Sequence, residues 1–253
     1  MRITFLGTGT SQGVPVIGCN CSVCTSADPR DTRLRSSILI ESEDTVIVID
    51  TGPDFRQQML SVSPAKLDAV LFTHAHRDHI AGLDDVRPFI HRQGKPMDVF
   101  AEQNVEEDLR VIFFYAFSID KYPGVPEFTF HTIKTEPFKI NRLEIIPIRG
   151  LHYRLPVLGF RIGDFVYMTD MNRIPEHEKQ KLSGVKHLVL GALRTEHHIS
   201  HFSLSEALAV VAELNPANAY FTHISHEMGL HTQVSDLLPE RTMLAYDGMV
   251  IVD

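Results

Sequence analysis

Five apolar segments of this sequence run directly into a histidine or an aspartate. They are VIVI before Asp50, LDAVLFT before His74, EIIPIRGL before His152, DFVYMT before Asp170 and NAYFT before His223. Apolar runs of this length predict buried β-strands. Since a strand end is a rigid platform, polar side chains placed at several strand ends can converge on one edge of a core. We therefore expect these five residues to form one site.

Further apolar runs lie between amphipathic segments. Ten strands are predicted, at 2–6, 37–40, 45–49, 69–72, 143–148, 159–162, 165–168, 187–190, 219–221 and 249–252. Helices are predicted at 54–60, 105–117 and 203–214, and Ser203 with Glu206 has the spacing of a capping box at the last of these. The excess of strands favours two sheets enclosed by helices over one doubly wound sheet. We expect a single α/β domain over residues 1–253.

Composition limits the classes of partner. The chain has 253 residues, of which 43% are hydrophobic and 22% charged, as in ordinary soluble domains. Its net charge of -8 argues against a nucleic-acid partner, because such binding depends on neutralising phosphates. A small anionic substrate remains compatible with this charge if a metal ion supplies local positive charge. The sequence shows neither an apolar run of roughly 18 residues nor a signal peptide, so we expect a cytoplasmic protein that does not enter a membrane.

The strongest local motif is THAHRDHIAGLDD, which contains His74, His76, Asp78 and His79. Histidines two residues apart in an extended segment point the same way and can bind one metal ion together. Asp78 and His79 come next and can serve a second ion. Imidazole and carboxylate ligands suit Zn²⁺ and also admit manganese or iron.

The three cysteines of the chain, Cys19, Cys21 and Cys24, lie within one short loop. An odd, tightly clustered set in a protein expected to be cytoplasmic indicates metal binding before disulfide formation. The glycines of GTGTSQG do not have the dinucleotide-binding spacing, and Pro15 follows where a helix would be needed. We interpret that segment as a tight turn below the metal site.

The HxHxDH motif after an apolar strand resembles the signature of the metallo-β-lactamase superfamily. The segments FLGTGTSQGVP and VIVIDTGPD are similar to that family as well. The resemblance extends over essentially the whole chain and implies a four-layer αββα sandwich. It implies two metal ions, one held by His74, His76 and His152 and the other by Asp78, His79 and His223. Asp170 would bridge both ions, and Asp50 would orient the metal loop by hydrogen bonds.

Three further segments, CNCSVC, THISHE and AYDGM, resemble the PhnP group of phosphodiesterases. That resemblance implies a structural zinc held by Cys19, Cys21, Cys24 and His226, a closed Cys₃His set. It also implies hydrolysis of a small or cyclic phosphodiester, such as a ribose cyclic phosphate, with Mn²⁺ or Zn²⁺ at the active site. A homodimer is implied by the family alone.

Two metal ions can hold a bridging hydroxide and clamp a phosphoryl group, which leaves the departing alkoxide in need of a proton. The segment TEHHISHFSL offers histidines for this step. The resemblance favours His201 as general acid, with His198 as the next candidate. Asp78 is assigned a catalytic role in addition to its ligand role. Arg33 and Arg35 either contact a phosphate or are exposed charges at a strand start.

Alternative functions share these residues. A tRNase Z-like nuclease that processes RNA 3′ ends would use the same metal chemistry, but the chain lacks a basic arm for tRNA. A relative in cofactor biosynthesis would share the cysteine loop. β-Lactam hydrolysis fits less well, because Asp170 matches the phosphodiesterase-type bridging ligand and no export signal is present. A zinc-stabilised binding protein that has lost catalysis is the non-enzymatic alternative, although each expected ligand is present.

Overall fold

A computed structural model describes residues 1–120 and 122–252. The strands are Arg2–Gly7 (β1), Ser37–Ser42 (β2), Thr45–Ile49 (β3), Ala69–Leu71 (β4), Met97–Ala101 (β5), Phe128–Thr132 (β6), Phe138–Ile140 (β7), Leu143–His152 (β8), Leu155–Ile162 (β9), Phe165–Met168 (β10), His187–Gly191 (β11), Asn218–Thr222 (β12), Thr242–Leu244 (β13) and Val250–Val252 (β14). The helices are Phe55–Val62 (α1), Arg77–Ile80 (α2), Arg87–Gln93 (α3), Gln103–Ile112 (α4), Glu176–Lys179 (α5), Leu204–Leu214 (α6) and His231–Ser235 (α7).

The strands form two seven-stranded sheets with matching patterns of direction. The first has the order β14-β1-β2-β3-β4-β5-β6, and the second has the order β13-β12-β11-β10-β9-β8-β7. In the first sheet the pairs from β14 to β3 are antiparallel and those from β3 to β6 are parallel. In the second sheet the pairs from β7 to β10 are antiparallel and those from β10 to β13 are parallel.

The central strands are buried on both faces. Ile38 and Ile40 of β2 pack in the core between the sheets, whereas Leu39 packs on the opposite face against the helices. Likewise Phe165 and Tyr167 of β10 face the core between the sheets. This alternation follows from the two-residue period of a strand, and double burial explains why these segments are continuously apolar. Each fully buried Ile, Leu or Phe contributes about 1.5–3 kcal/mol to folding.

Helices cover the outer face of each sheet. Apolar side chains of α1 to α4 complete the core on the first sheet, and those of α6 and α7 complete the core on the second. The four layers are therefore helix, sheet, sheet and helix, which confirms the predicted αββα sandwich. Within the described residues, no helix combines the length and apolar character needed to cross a membrane.

Each of the ten predicted strands is present, but four strands were missed. Three of them, β7, β13 and the edge strand β6, are short or only half-buried, so they lack a strong apolar pattern. The fourth, β5, is buried but interrupted by Asp98. The helix predicted at 105–117 ends at Ile112, and a 3₁₀ turn, Phe114–Ala116, follows it.

The predicted capping box at the start of α6 is confirmed. The Ser203 side chain accepts a hydrogen bond from the Glu206 backbone N–H, and the Glu206 carboxylate accepts one from the Ser203 backbone N–H at 2.8 Å. These two bonds satisfy backbone groups that a helix start otherwise leaves unpaired.

Replacing Ser203 with Ala should lower the free energy of unfolding by about 0.5–2 kcal/mol, because one cap acceptor is lost at a buried position. Urea denaturation measures this change. Ser61→Ala is the matched control, since Ser61 is an exposed serine inside α1 and does not cap it. Equal effects of the two substitutions would contradict the contribution assigned to the cap.

Candidate metal centre and active site

The five polar residues that follow apolar runs meet at one edge of the two sheets. Asp50 follows β3, His74 lies beyond β4, His152 ends β8, Asp170 lies beyond β10 and His223 follows β12. Within each sheet these strands run in the same direction, so their carboxyl ends lie together. The convergence expected from the sequence is therefore present in the structure.

Three of these residues have left-handed backbone conformations, with φ of 64° at Asp50, 51° at Asp170 and 58° at His223. Such a conformation costs about 1–3 kcal/mol for a residue other than glycine and persists only where the surrounding structure enforces it. Here it turns the chain sharply at the strand end and directs each side chain into the same cluster.

Asp170 is the centre of this cluster. Its carboxylate lies with His74 and His76 in one group whose ligand atoms are all within 4.8 Å of one another. It also lies with Asp78, His79 and His223 in a second such group, and with His152 and His201 in a third. Asp170 thus has the position of a bridge between two ligand sets.

The donor atoms are arranged as metal ligands are. His223 Nδ1 lies 3.0 Å from Asp170 Oδ1, and His79 Nε2 lies 3.1 Å from an oxygen of Asp78. Despite these distances, His74 Nε2, His79 Nε2 and His223 Nδ1 are buried without a hydrogen-bond partner in the described structure. Buried polar atoms are normally paired, so nitrogens that converge unpaired on carboxylates indicate lone pairs directed at a common cation. The residues therefore fit divalent metal ions.

The fully buried carboxylate of Asp50 fixes the orientation of two of the histidines. It accepts hydrogen bonds from the Thr73 backbone N–H at 2.9 Å and from Thr73 Oγ1 at 2.8 Å, and it lies 2.7 Å from His79 Nδ1. Since Thr73 Oγ1 donates to Asp50, it can accept from His74 Nδ1, which lies 3.0 Å away. Both histidines are then protonated on Nδ1, and their Nε2 lone pairs face the cluster.

Burial and charge favour the ligand forms of His74 and Asp170, whereas the carboxylates of Asp170, Asp50 and Asp78 raise the pKa of His79 well above its usual range, so a cation would have to displace its second proton. Burial, together with the neighbouring His79, lowers the pKa of His74 well below its usual range, so the ring is neutral. Burial alone would raise the pKa of Asp170, but His223 and His79 hold it well below its usual range, so the carboxylate is ionised. Neutral imidazole and ionised carboxylate are the ligand forms of these residues.

The loop between β11 and α6 connects His152 with His201. The Ser200 carbonyl accepts a hydrogen bond from His152 Nδ1 at 2.8 Å, which leaves His152 Nε2 for the cluster. The His201 ring lies 4.5 Å from that of His152 and 5.0 Å from that of His223, measured between centroids. Thr73 and Ser200 act through one hydroxyl and one carbonyl; both lie within the segments THAHRDHIAGLDD and TEHHISHFSL, but these roles were not predicted.

The four predicted structural-zinc residues also come together. The Sγ atoms of Cys19, Cys21 and Cys24 lie 3.3, 3.4 and 3.5 Å from His226 Nδ1. The Cys24 backbone N–H and His226 lower the pKa of the Cys21 thiol to about 6, which favours the thiolate form that binds metal. A Cys₃His set of this kind fits zinc.

Both arginines considered for phosphate binding have acceptors within the protein. Arg33 is 3% exposed and donates hydrogen bonds to Thr8 Oγ1 and to the Ala245 carbonyl, so it connects two distant segments of the chain inside the protein. Arg35 forms an ion pair with Asp54 at 3.0 Å. The expectation that both are exposed charges is wrong for Arg33, which is buried, and Arg35 already has Asp54 as its partner.

A substitution at Asp50 should weaken metal binding without touching a ligand. Asp50→Asn removes the charge that holds Thr73 and His79, and we expect metal affinity at this cluster to fall about 10–100-fold. Chelator competition measures the affinity. Thr73→Val serves as a milder second variant, and Asp98→Asn is the control, since Asp98 pairs with His131 outside the cluster. Unchanged affinity in both Asp50→Asn and Thr73→Val would contradict this role.

The cysteine site yields a separate prediction. Cys24→Ala leaves three of the four ligands, so the purified protein should lose one zinc per chain and melt at a lower temperature. Metal analysis and thermal unfolding measure both effects. Ser22→Ala is the control, because Ser22 is exposed in the same loop. A zinc content unchanged by Cys24→Ala would show that the set does not bind zinc.

Comparison with known proteins agrees with this architecture. Residues 45–224 match the beta-lactamase superfamily domain. A solved structure described as a new diphosphatase from the PhnP family is 36% identical, with a TM-score of 0.93, covering 100% of this chain and 97% of that one. Zinc-bound PqqB from Methylobacterium extorquens is 20% identical with a TM-score of 0.80, covering 100% of both chains, and shares the fold.

Among curated proteins, an octanoyltransferase of Porphyromonas gingivalis (strain ATCC BAA-308 / W83) is 40% identical over 258 residues, covering 100% of this chain and 52% of that protein. The chain therefore spans about half the length of this relative. The domain match over most of the chain, the four layers and the similarity in sequence and structure agree with one another. The chain belongs to the metallo-β-lactamase superfamily, close to the PhnP family.

Proposed function

We propose that this superfamily hydrolase is a metal-dependent phosphodiesterase that acts on a small or cyclic phosphodiester, such as a ribose cyclic phosphate. The observation that carries the proposal is the position of Asp170, shared by three groups of potential ligands, with His201 beside it. The 36% identity to a PhnP-family diphosphatase supports chemistry at phosphorus. A small phosphodiester is then the substrate, and a homodimer is the assembly proposed for the chain.

The ligand sets proposed here are those that the resemblance to the family implies, and the grouping of their members around Asp170 supports them. His74, His76 and His152 would hold one divalent ion, Asp78, His79 and His223 the other, and Asp170 both. Mn²⁺ or Zn²⁺ suits these nitrogen and oxygen donors. Two such ions, when bound, supply a nucleophile from water at neutral pH and neutralise charge on the phosphate oxygens. The catalytic role proposed for Asp78 is indirect, since it would hold one of these ions.

His201 is suited to assist the leaving group. In the reaction, a water oxygen adds to phosphorus, the ester P–O bond breaks, and the departing oxygen takes a proton. Burial and the neighbouring His223 lower the pKa of His201 to about 3, so the free side chain is neutral and can donate an N–H hydrogen bond. The negative charge of a bound phosphodiester and of the departing oxygen favours the protonated form that donates a proton.

A second candidate is hydrolysis of a phosphoanhydride, since the structure that is 36% identical is described as a diphosphatase. The same ligands and His201 would serve, and the leaving group would be a phosphate in place of an alcohol. Comparing an organic diphosphate with a phosphodiester of the same alcohol separates the two candidates.

The deciding experiment is hydrolysis of bis(p-nitrophenyl) phosphate by metal-stripped protein reconstituted with Mn²⁺. We expect metal-dependent turnover that Asp170→Ala abolishes. His201→Ala should lower the rate by about 10²–10⁴-fold, with the larger loss for a cyclic ribose phosphate, because an alkoxide needs the proton more than nitrophenolate does. His131→Ala is the matched control, since His131 is a half-exposed histidine with an aspartate partner away from the cluster.

Lack of turnover on every phosphodiester and diphosphate, with metal demonstrably bound, would overturn the proposal. An RNA 3′-processing assay and a binding screen would then test the nuclease and the non-catalytic alternatives. A rate unchanged by His201→Ala on both substrates would remove His201 from the mechanism and leave His198 as the next candidate.

A further inference from the structure

One side-chain amide lies between the segments that carry His152 and His201. The Oδ1 atom of Asn172 accepts a hydrogen bond from the Tyr153 backbone N–H at 2.8 Å, and its Nδ2 atom donates one to the Ile199 carbonyl at 2.9 Å. Tyr153 directly follows His152 at the end of β8, and Ile199 lies two residues before His201 in the loop between β11 and α6. Asn172 therefore connects the two segments through their backbones.

This bridge requires an amide. A backbone N–H needs an acceptor and a backbone carbonyl needs a donor, and asparagine offers both from one planar group. An aspartate at this position would supply only acceptors, and an alanine would supply neither. The two partners also determine which atom of the Asn172 amide is the oxygen and which is the nitrogen.

The backbone of Asn172 is bonded to the same strand end. Its N–H donates to the Leu151 carbonyl, and the Leu151 N–H donates to the Arg173 carbonyl, both at 2.9 Å. Tyr153 has a left-handed backbone conformation with φ of 57°, which persists only where the surrounding structure enforces it. Since the Asn172 amide bonds to the N–H of this strained residue, it helps to fix the turn between β8 and β9.

The loop that carries His201 has no regular structure of its own. It forms neither helix nor strand between β11 and α6. In the part of the chain that the structure describes, two hydrogen bonds from outside the loop reach Ile199 and Ser200, which precede His201. They come from Asn172 Nδ2 and His152 Nδ1.

On the other side of His201, the Phe202 N–H donates to the Met171 carbonyl at 2.8 Å. Met171 and Asn172 are neighbours in the chain, so one short segment after Asp170 holds the loop on both sides of His201. The position of the His201 ring relative to the cluster therefore depends on this segment.

We propose that Asn172 is a positioning residue that keeps His201 at a fixed distance from His152. The inference rests on the proposed phosphodiesterase function and adds to it the residue that aligns the general acid with the ligand cluster. His201 can pass its proton to the departing oxygen only from within hydrogen-bond distance, and a misplacement of about 1 Å can lower a rate about 10²-fold. Asn172 acts through the backbone of the loop and does not itself contact the reacting atoms.

The kinetic test uses two singly charged diesters on protein reconstituted with Mn²⁺, methyl phenyl phosphate and methyl p-nitrophenyl phosphate. Phenolate is the poorer leaving group and needs the proton more. Asn172→Ala should lower hydrolysis of the phenyl ester about 10- to 100-fold and that of the nitrophenyl ester by less than about 5-fold. Asn104→Ala is the matched control and should change neither rate, because Asn104 is an exposed asparagine of α4.

A double substitution shows whether Asn172 acts through His201. His201→Ala removes the proposed acid, so the addition of Asn172→Ala should cause no further change in the ratio of the two rates. A general structural effect of Asn172→Ala would instead add to the effect of His201→Ala. An additive change in that ratio would contradict the positioning role.

Hydrogen exchange measures the bridge without any turnover. In Asn172→Ala, peptides that cover Tyr153 and the loop before α6 should exchange about 3- to 10-fold faster, the range for losing one neutral hydrogen bond. Asn172→Asp keeps an acceptor for the Tyr153 N–H but has no donor for the Ile199 carbonyl. In that variant only the loop should exchange faster, and the ratio of the two rates should follow that of Asn172→Ala. Peptides from β2 and β10 should be unchanged in both variants, which shows that the variants are folded.

Wild-type exchange of the loop in Asn172→Ala would overturn the inference. An unchanged ratio of the two rates in an active Asn172→Ala enzyme would overturn it as well. If the wild-type protein hydrolyses neither diester with metal bound, the proposed function fails. The exchange data then decide by themselves whether Asn172 fixes the loop.

Discussion

The hydrogen bonds to the buried carboxylate of Asp50 connect the fold to the site. Asp50 follows β3, Thr73 follows the neighbouring strand β4, and His79 lies on α2. Burial raises the pKa of this carboxyl, so partners that donate hydrogen bonds are needed to keep it ionised inside the protein. Those same partners set the direction of the histidine rings. The orientation of these side chains is therefore set by the packing of the strands rather than by the loop that carries them.

The shared core between the two sheets supplies the second constraint. Asp50, His74, His76, Asp78 and His79 come from the half of the chain that forms most of the first sheet, and His152, Asp170 and His223 come from the second. Neither sheet contributes a complete set. The apolar residues packed between the sheets, such as Ile40 and Tyr167, thereby help to determine the distances between the residues of the candidate site.

Much of this arrangement could be predicted because burial and chemistry leave marks in the sequence. Doubly buried strands such as β2 and β10 are continuously apolar, and His74 to His79 have the spacing of metal ligands. The part that could not be predicted depends on groups without a signature. The Ser200 carbonyl and the Thr73 hydroxyl matter because of where the fold places them, and the short strands β7 and β13 depend on pairing with neighbours. Arg33 was expected to contact a phosphate or to be an exposed charge, yet tertiary contacts leave it only 3% exposed.

The long separations within the ligand sets have a consequence for the synthesis of the protein. The cysteine loop lies near residue 20 and its neighbour in the candidate zinc site is His226, while Asp78 and His79 are grouped with His223. The ribosome has therefore synthesised the chain through β12 before either candidate metal site has all its donors. Until then, the cysteines near residue 20 and the histidines of the His74–His79 segment form only part of each candidate site. A metal ion that uses all the donors of either candidate site can therefore be bound fully only once the last parallel strands of the second sheet, β12 and β13, have docked.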